Sequence, residues 1–242
     1  MANFNTFNRW WRDLWGHRHL EPTLQPLICL IVPAYDNLTH LFHSWLVGHW
    51  SLHVSTRVTL ATKANASYDE LRKWLSKSAA ESHYRLVIFC GHGTPDALLT
   101  APNLGFGNVS VKGVEHGMLV NPFVPPESRD ALSWFCFCCY SAHFLGKLLG
   151  TYPNSRFLGY HAPISFELAH GGRRFWRKLL SEAVAELVNG HDLDKLRRRL
   201  IAEYDSAIAY YKSGSGRSNP RQFFMVLSLV RHRTALSMHS WR

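Results

Sequence analysis

Several features that define large protein classes are missing from this sequence. No apolar run reaches the roughly 18 residues that a transmembrane helix needs, so we expect no membrane contact. The amino terminus lacks the continuous apolar core of a signal peptide, which favours a cytoplasmic protein. The sequence contains no internal repeat, and the absence of a Gly-x-Ser-x-Gly motif disfavours a serine hydrolase of the α/β type.

Cysteine is scarce, and its distribution argues against a disulfide framework. The chain has five cysteines, an odd number, and four of them lie inside apolar runs of strand character: Cys90, Cys136, Cys138 and Cys139. This pattern is typical of reduced thiols in the cytosol. The crowding at 136–139 suits tetrahedral zinc poorly, and no second pair with metal-binding spacing accompanies it, so we expect no metal and no other cofactor. The 15 scattered histidines leave a cysteine–histidine zinc site as a weak alternative.

Acidic residues are few, and the resulting positive charge bears on partners. The chain has 27 Lys and Arg against 17 Asp and Glu, which gives a net charge of +10 and a pI near 9.6. The densest basic clusters lie on two helical patterns: Arg173, Arg174, Arg177 and Lys178, then Lys195, Arg197, Arg198 and Arg199. Such patterns favour a solvated helix face. The alternative is an acidic partner, with nucleic acid bound only indirectly through a complex.

The remaining features are typical of one folded domain. At 242 residues and 46% apolar composition the chain is long enough for a full core, and we expect a single domain over residues 1–242. Residues 1–25 form a tryptophan-rich N-terminal extension, which either packs outside the sheet or docks a partner. Apolar runs alternate with helical patterns, which predicts an α/β fold with a mainly parallel sheet and helices on both faces.

The same alternation predicts the bounds of each element. We expect strands at residues 27–33, 55–62, 84–92, 134–138, 155–160 and 223–230. Helices are expected at 39–48, from Ser67 onward, at 166–188 and at 192–211. Residues 94–129, rich in Gly, Pro and Asn, predict a long loop with one hairpin at 111–120, and residues 213–220 predict a second loop.

Two of the predicted strands end in residues that carry chemistry. The first runs into Gly91-His92-Gly93-Thr94, where the flanking glycines allow a sharp turn and the close approach of another molecule. The second runs into Cys139-Tyr140-Ser141-Ala142. Equivalent ends of parallel strands lie side by side, so His92 and Cys139 are expected to meet although they are distant in sequence.

A cysteine and a histidine together supply nucleophilic catalysis. The imidazole activates the thiol, and the thiolate attacks a carbonyl carbon to form a thioester. The backbone N–H groups of Gly93 and Cys139 are placed to form an oxyanion hole. Side chains alternate along a strand, so Cys136 and Cys138 point to one face while Phe137 and Cys139 point to the other. We expect Cys139 to be the nucleophile, and a register one residue earlier would make it Cys138.

The two motifs resemble those of the caspase-like cysteine peptidases, whose histidine precedes the cysteine by about 50 residues. Within that group the chain is most similar to the CHAT type, whose relatives include separases, gingipains and metacaspases. The family's second motif is a Cys-x-Ser-Ala or Cys-x-Ser-Gly turn at the end of a buried strand, and residues 139–142 match it. The similarity covers about residues 27–238, of which the two motifs are the specific part.

The resemblance implies a caspase-like three-layer sandwich and a cysteine endopeptidase with His92 and Cys139 as its catalytic dyad. It also implies a protein substrate and a regulatory protein partner that activates the enzyme, as in the stand-alone CHAT proteases of bacterial antiviral defence. The alternative is a catalytically inactive caspase-like scaffold that binds a protein or nucleic-acid partner.

The resemblance also bears on specificity. In this family the residue two positions before the nucleophile lines the pocket for the substrate side chain that precedes the scissile bond. Metacaspases, which cleave after Arg or Lys, have an aspartate there, whereas this chain has Phe137. An aromatic wall cannot neutralise a buried cation, so we expect cleavage after an apolar residue, with an acidic residue as second choice. His161, Phe166 and Glu167 are expected to complete the pocket, where Glu167 would reverse the preference if it faced the substrate.

Overall fold

The described residues combine a mostly parallel sheet with α-helices, which confirms the expected α/β class. The computed structural model describes residues 27–50, 58–61, 85–95, 97–101, 104–107, 115–118, 132–143, 155–169, 171–190 and 192–240. The strands are β1 Leu27–Ile31, β2 Val58–Ala61, β3 Arg85–Cys90, β4 His92–Thr94, β5 Ala97–Ala101, β6 Leu104–Gly107, β7 Glu115–Met118, β8 Leu132–Phe137, β9 Arg156–Tyr160 and β10 Leu236–Ser240. The α-helices with described bounds are α1 Asn37–Trp50, α2 Gly172–Val188, α3 Leu193–Ser213 and α4 Gln222–Ala235, and a short 3₁₀ helix spans Ser215–Ser218. The helix predicted after Ser67 and the extension at 1–25 lie outside the described residues.

A six-stranded sheet in the order β10-β9-β8-β3-β1-β2 forms the centre of the fold. All neighbours pair in parallel except β10, which runs antiparallel to β9, so the prediction of a mainly parallel sheet is confirmed. Strands buried on both faces carry continuous apolar runs, and β3 and β8 have that composition. Both faces of these strands are buried, as Ile88 and Phe89 on β3 show.

One core cluster joins this sheet to the helices. The cluster contains every second residue of the central strands, such as Ile88 and Phe135. It also contains Phe42 of α1, Trp176 of α2 and Leu229 of α4. Burying one such side chain stabilises the fold by about 1.5–3 kcal/mol. None of the helices within the described ranges has the length and apolar character that crossing a bilayer requires. Helices on both faces of the sheet remain a prediction.

The prediction of a strand at residues 223–230 is wrong, because these residues lie in α4. A short apolar run does not by itself distinguish a strand from a buried helix. Here the buried side chains of Met225, Leu229 and His232 recur at helical spacing, whereas Phe223 is exposed. The last strand is β10 instead. The helix predicted at 166–188 likewise starts later, at Gly172, directly after Gly171 with its positive φ of 94°.

The segment predicted as a long loop carries a second sheet. Strands β4, β5, β6 and β7 form it in that order, with β6 and β7 parallel and the other pairs antiparallel. Strand β7 pairs with β6, and the rest of the hairpin expected at 111–120 lies outside the described residues. Strands this short, two of them rich in glycine, leave little period-two pattern to detect. The second sheet begins at His92, so the boundary between the two sheets lies at the predicted site.

Candidate active site

His92 lies where the chain passes from the central sheet to the second sheet. Strand β3 ends at Cys90, two residues earlier than predicted, and Gly91 forms the link. The Gly91 N–H donates to the carbonyl oxygen of Phe137 at 3.4 Å. A Cβ at Gly91 would lie 3.0 Å from the ring of Pro33, so the small residue permits a close approach between the two segments. His92 then opens β4.

The imidazole of His92 has a partner that the sequence analysis missed. Its Nε2 lies 2.7 Å from Oδ2 of Asp36. Asp36 also caps helix α1, since its Oδ1 accepts hydrogen bonds from the backbone N–H and the hydroxyl of Thr39, both at 2.8 Å. An aspartate just before a helix is a recognisable N-cap in the sequence, but no local pattern connects it to His92. Only the tertiary structure shows the pair.

The carboxyl group of Asp36 is ionised at neutral pH. Partial burial raises its pKa, but the hydrogen bonds from Thr39 and the proximity of His92 outweigh this effect, and the pKa is lowered below its ordinary value. A carboxylate bound to Nε2 favours the tautomer that carries its proton there. The Nδ1 atom of His92 is then the nitrogen that can accept a proton.

Cys139 lies just after β8, immediately before a strained turn. Tyr140 has a φ of 53°, in the left-handed region that side chains disfavour at a cost of about 1–3 kcal/mol. Hydrogen bonds hold the turn: the Tyr140 N–H donates to Ala162 at 3.4 Å, and the His143 N–H donates to Tyr140 at 3.0 Å. The chain then enters a helical turn at 141–143. This bend places Cys139 at the rim of the sheet.

The thiol of Cys139 is bound to the backbone of the segment that follows β9. Its Sγ accepts a hydrogen bond from the N–H of Ile164 at 3.3 Å and donates one to the carbonyl oxygen of Ile164 at 3.5 Å. Burial raises the pKa of Cys139, the Ile164 N–H lowers it, and neighbouring Cys138 raises it again, so the pKa lies above its ordinary value. The thiol is therefore protonated at neutral pH and needs a base to become a nucleophile.

Strands β3 and β8 bring the two motifs to the same edge of the sheet. Cys90 pairs with Phe137 in register, so the segments that follow these residues leave the sheet side by side. Gly93 packs directly on the cysteine turn, because a Cβ there would lie 2.2 Å from the carbonyl oxygen of Cys139 and 3.1 Å from Sγ of Cys138. Only glycine fits this contact. Its part in an oxyanion hole remains a prediction.

The alternation along β8 separates the cysteines as expected. Phe137 and Cys139 belong to the core cluster or pack against it, whereas Cys136 and Cys138 lie outside that cluster and are almost fully buried. Burial raises the pKa of Cys136 well above its ordinary value, and a hydrogen bond with Cys138 adds to the shift. Cys139 is half-buried, while the other four cysteines are buried. Of the five, Cys139 is the thiol that a reagent can reach most easily.

Two residues expected in the substrate pocket are in contact within the core. The ring centroids of Phe137 and Phe166 are 5.6 Å apart, and both rings pack against Phe42. The side chain of Phe137 is only 1% exposed, so in this structure it faces the core rather than an open pocket. Phe166 is half-buried.

The other two pocket candidates have partners of their own. The carboxylate of Glu167 accepts the N–H of Ala169 at 2.9 Å and forms an ion pair with Arg221 at 3.6 Å. His161 is exposed, and its backbone N–H donates to the carbonyl oxygen of Ala235. The structure thus places Phe137 in contact with Phe166 and pairs Glu167 with Arg221, the residue before helix α4.

A scan against protein-family models finds no match, and a search of curated proteins finds none either. Within the described ranges, no group of three or more His, Cys, Asp or Glu side chains could hold a metal ion. The chemistry available at this edge of the sheet is a carboxylate-bound imidazole and a half-buried thiol, each at the end of one of two neighbouring strands.

Proposed function

We propose that the protein is a cysteine endopeptidase with a caspase-like three-layer sandwich, in which Cys139 is the nucleophile and His92 the general base. The observation that carries the proposal is the carboxylate-bound imidazole beyond the end of β3, beside the strand end that Cys139 follows. The contact between Gly93 and the Cys139 carbonyl supports it, because it ties the two motifs together. The catalytic domain spans residues 1–242 in this proposal.

The reaction follows from the roles of these groups. The Nδ1 atom of His92 takes the proton from the Cys139 thiol, and Asp36 stabilises the resulting imidazolium. The thiolate attacks the carbonyl carbon of a substrate amide, and the N–H groups of Gly93 and Cys139 stabilise the oxyanion. The tetrahedral intermediate expels the amine, which takes its proton from His92, and water hydrolyses the thioester.

The substrate class in this proposal is a protein cut after an apolar residue. The ion pair between Glu167 and Arg221 supports it, because it engages the one acidic pocket candidate. A substrate guanidinium bound here without a free carboxylate would be an unpaired charge.

An activating protein partner completes the proposal, which the resemblance to CHAT proteases of bacterial antiviral defence suggests. Its structural support is the resting thiol: Cys139 is protonated, and its hydrogen bonds go to Ile164. Loss of the hydrogen bond to the Ile164 carbonyl oxygen would free the thiol proton for His92, while the Ile164 N–H stays on the sulfur. Partner binding is one way to produce that change.

A non-catalytic scaffold is the second candidate, favoured by the same bound thiol and by exposed arginines at the start of α2: Arg173, Arg174 and Arg177. A peptide acyloxymethyl ketone with leucine next to the reactive group distinguishes the two. We expect it to modify Cys139, with labelling lost in Cys139→Ala, reduced in His92→Ala and retained in Cys138→Ala. Labelling that is equal with and without His92 would favour the scaffold.

A further inference from the structure

The segment that binds the thiol is itself held by helix α4. The residue after Ile164 is Ser165, whose carbonyl oxygen accepts two hydrogen bonds from α4. One comes from the hydroxyl of Ser228, and the other comes from Nε2 of His232 at 3.2 Å. With both lone pairs of the oxygen engaged, the Ser165 peptide has a fixed orientation. Ile164 therefore directly precedes a residue whose carbonyl oxygen is held in place by two hydrogen bonds.

His232 is built into the core as a neutral donor. Its imidazole is fully buried, and the ring centroids of Phe137, Phe166 and Trp176 lie 5.6, 4.9 and 4.5 Å from its own. The hydroxyl of Tyr204 lies 3.5 Å from Nδ1, so Nδ1 is the acceptor and Nε2 carries the proton. Burial lowers the pKa of His232 to about 3, which keeps the ring uncharged at neutral pH.

A second chain of hydrogen bonds leads from His232 to the cysteine turn. The hydroxyl groups of Tyr204 and Tyr160 are 2.7 Å apart, and the backbone N–H of Tyr160 donates to Oγ of Ser141 at 3.1 Å. The Ser141 hydroxyl donates to the carbonyl oxygen of Cys138 at 3.3 Å. His232 thus reaches the turn from two sides, through Ser165 and through Tyr204.

We propose that Ser228 and His232 are positioning residues for the Cys139 thiol: by fixing Ser165 they hold the N–H of Ile164 at hydrogen-bond distance from Sγ. This inference rests on the proposed function in one respect, that Cys139 is the reactive thiol. An N–H aimed at sulfur stabilises the thiolate more than the thiol. Loosening the anchor on α4 therefore makes the thiolate harder to form, although the hydrogen bonds of the sulfur in the described structure go to Ile164 and not to α4.

The test is the pH dependence of alkylation of Cys139 by iodoacetamide in the full chain, followed by mass spectrometry. The substitution His232→Leu removes the Nε2–H donor to Ser165. We expect the pH at which alkylation of Cys139 is half-maximal to rise by about one unit, with roughly tenfold slower alkylation at neutral pH. Ser228→Ala, which removes one of two donors, should give a smaller shift in the same direction. His232→Gln keeps an N–H donor and should restore the midpoint toward that of the wild type.

The controls separate positioning from general damage. The ionisable side chains near Cys139 include Cys138, Tyr35, Tyr140 and the His92–Asp36 pair, and all of them are unchanged in every variant. Phe223→Ala alters an α4 side chain that is 68% exposed and should leave the midpoint where it is. Cys139→Ala gives the background.

The outcomes are distinguishable from those of the proposed function, because alkylation needs no peptide cleavage. Wild-type midpoints in folded His232→Leu and Ser228→Ala would overturn the positioning role, and Ser228→Ala alone decides if His232→Leu does not fold. A shifted midpoint together with acyloxymethyl ketone labelling that is equal with and without His92 overturns the peptidase and leaves the positioning role intact. Peptide cleavage by the wild type, combined with unshifted alkylation midpoints in the variants, supports the peptidase and overturns the positioning role.

Discussion

Oδ2 of Asp36 lies 2.7 Å from Nε2 of His92 and joins the start of helix α1 to the start of strand β4. The other oxygen of the same carboxylate caps α1 through Thr39. The cap fixes the orientation of the carboxylate before the imidazole meets it, so the partner of His92 is preorganised. One side chain therefore serves both the stability of a helix and the orientation of the proposed base.

The substitution Asp36→Asn should separate these two roles. Asparagine still caps a helix, so we expect the free energy of unfolding to change by less than about 1 kcal/mol. The charge that stabilises the imidazolium is lost, so kcat/KM for peptide cleavage should fall by about 100-fold or more. Urea unfolding and peptide kinetics measure the two effects. Thr39→Ala is the matched control, because it weakens the cap and leaves the His92 partner in place. If Asp36→Asn were as active as the wild type, Asp36 would not stabilise the imidazolium of His92.

Substitution of the proposed dyad should abolish cleavage without unfolding the protein. We expect His92→Ala and Cys139→Ala to be inactive, with circular dichroism spectra like that of the wild type, because both side chains are only partly buried. Cys138→Ala should keep most of the activity, since its thiol lies outside the core cluster that Cys139 packs against. An inactive Cys138→Ala together with an active Cys139→Ala would show that Cys138 is the nucleophile.

Phe137→Asp, the change that resemblance to metacaspases suggests for accepting basic substrates, should destabilise the fold instead. The side chain is buried among the rings of Phe42, Tyr160 and Phe166, where an ionised carboxylate would have no partner. We expect a loss of several kcal/mol, measured by thermal or urea unfolding. Phe137→Leu serves as the apolar control and should cost far less. A stable Phe137→Asp variant would show that this side chain can reach solvent.

The apolar specificity proposed above is checked with a positional-scanning peptide library. We expect the best substrates to carry Leu or Met before the scissile bond, because Glu167, the acidic pocket candidate, is already paired with Arg221 and leaves a basic side chain without a partner. The change Arg221→Ala removes the cation paired with Glu167 and should increase cleavage after Arg or Lys. Dominant cleavage after Arg or Lys in the wild type would contradict the proposal.

Acid should destabilise the protein through His232. Burial lowers the pKa of His232 from 6.5 to about 3. As the pH falls, the unfolded chain therefore binds a proton at this side chain near pH 6.5, whereas the folded protein binds it only near pH 3. The stability contribution is complete above pH 6.5 and is lost as the pH falls from about 6.5 to about 3, by on the order of 4 kcal/mol. The titratable neighbours Tyr160 and Tyr204 have pKa values that burial raises, so they do not ionise in this range.

The variant His232→Gln isolates this effect, because glutamine retains a donor but does not titrate as imidazole does. Urea midpoints at pH 7 and pH 4.5 should differ less in His232→Gln than in the wild type. Identical pH dependence in the two proteins would mean that His232 does not account for the loss of stability in acid.

The sequence alone determined the central strands and the two ends that carry chemistry. The sequence predicts strands at residues 27–33, 134–138 and 155–160, and each predicted end lies within two residues of the corresponding end of β1, β8 or β9. Their apolar runs are long and are bounded by turn residues, so the information is local. The same holds for the end of helix α2, where Gly190 adopts the positive φ of 83° that its Asn-Gly pair indicates.

Only the tertiary structure decided which groups surround those strand ends. Asp36, Ile164 and His232 reach the site from α1, from the segment after β9 and from α4, and no spacing in the sequence connects them to His92 or Cys139. Residues 223–230 of helix α4 predict a strand because a run of seven apolar residues interrupted only by Ser228 fits either structure until its packing partners are known. Phe137, predicted to line a pocket, is buried because Phe42 and Phe166 pack over it. Local periodicity determines where a strand ends, whereas long-range packing determines what the residue at its end contacts.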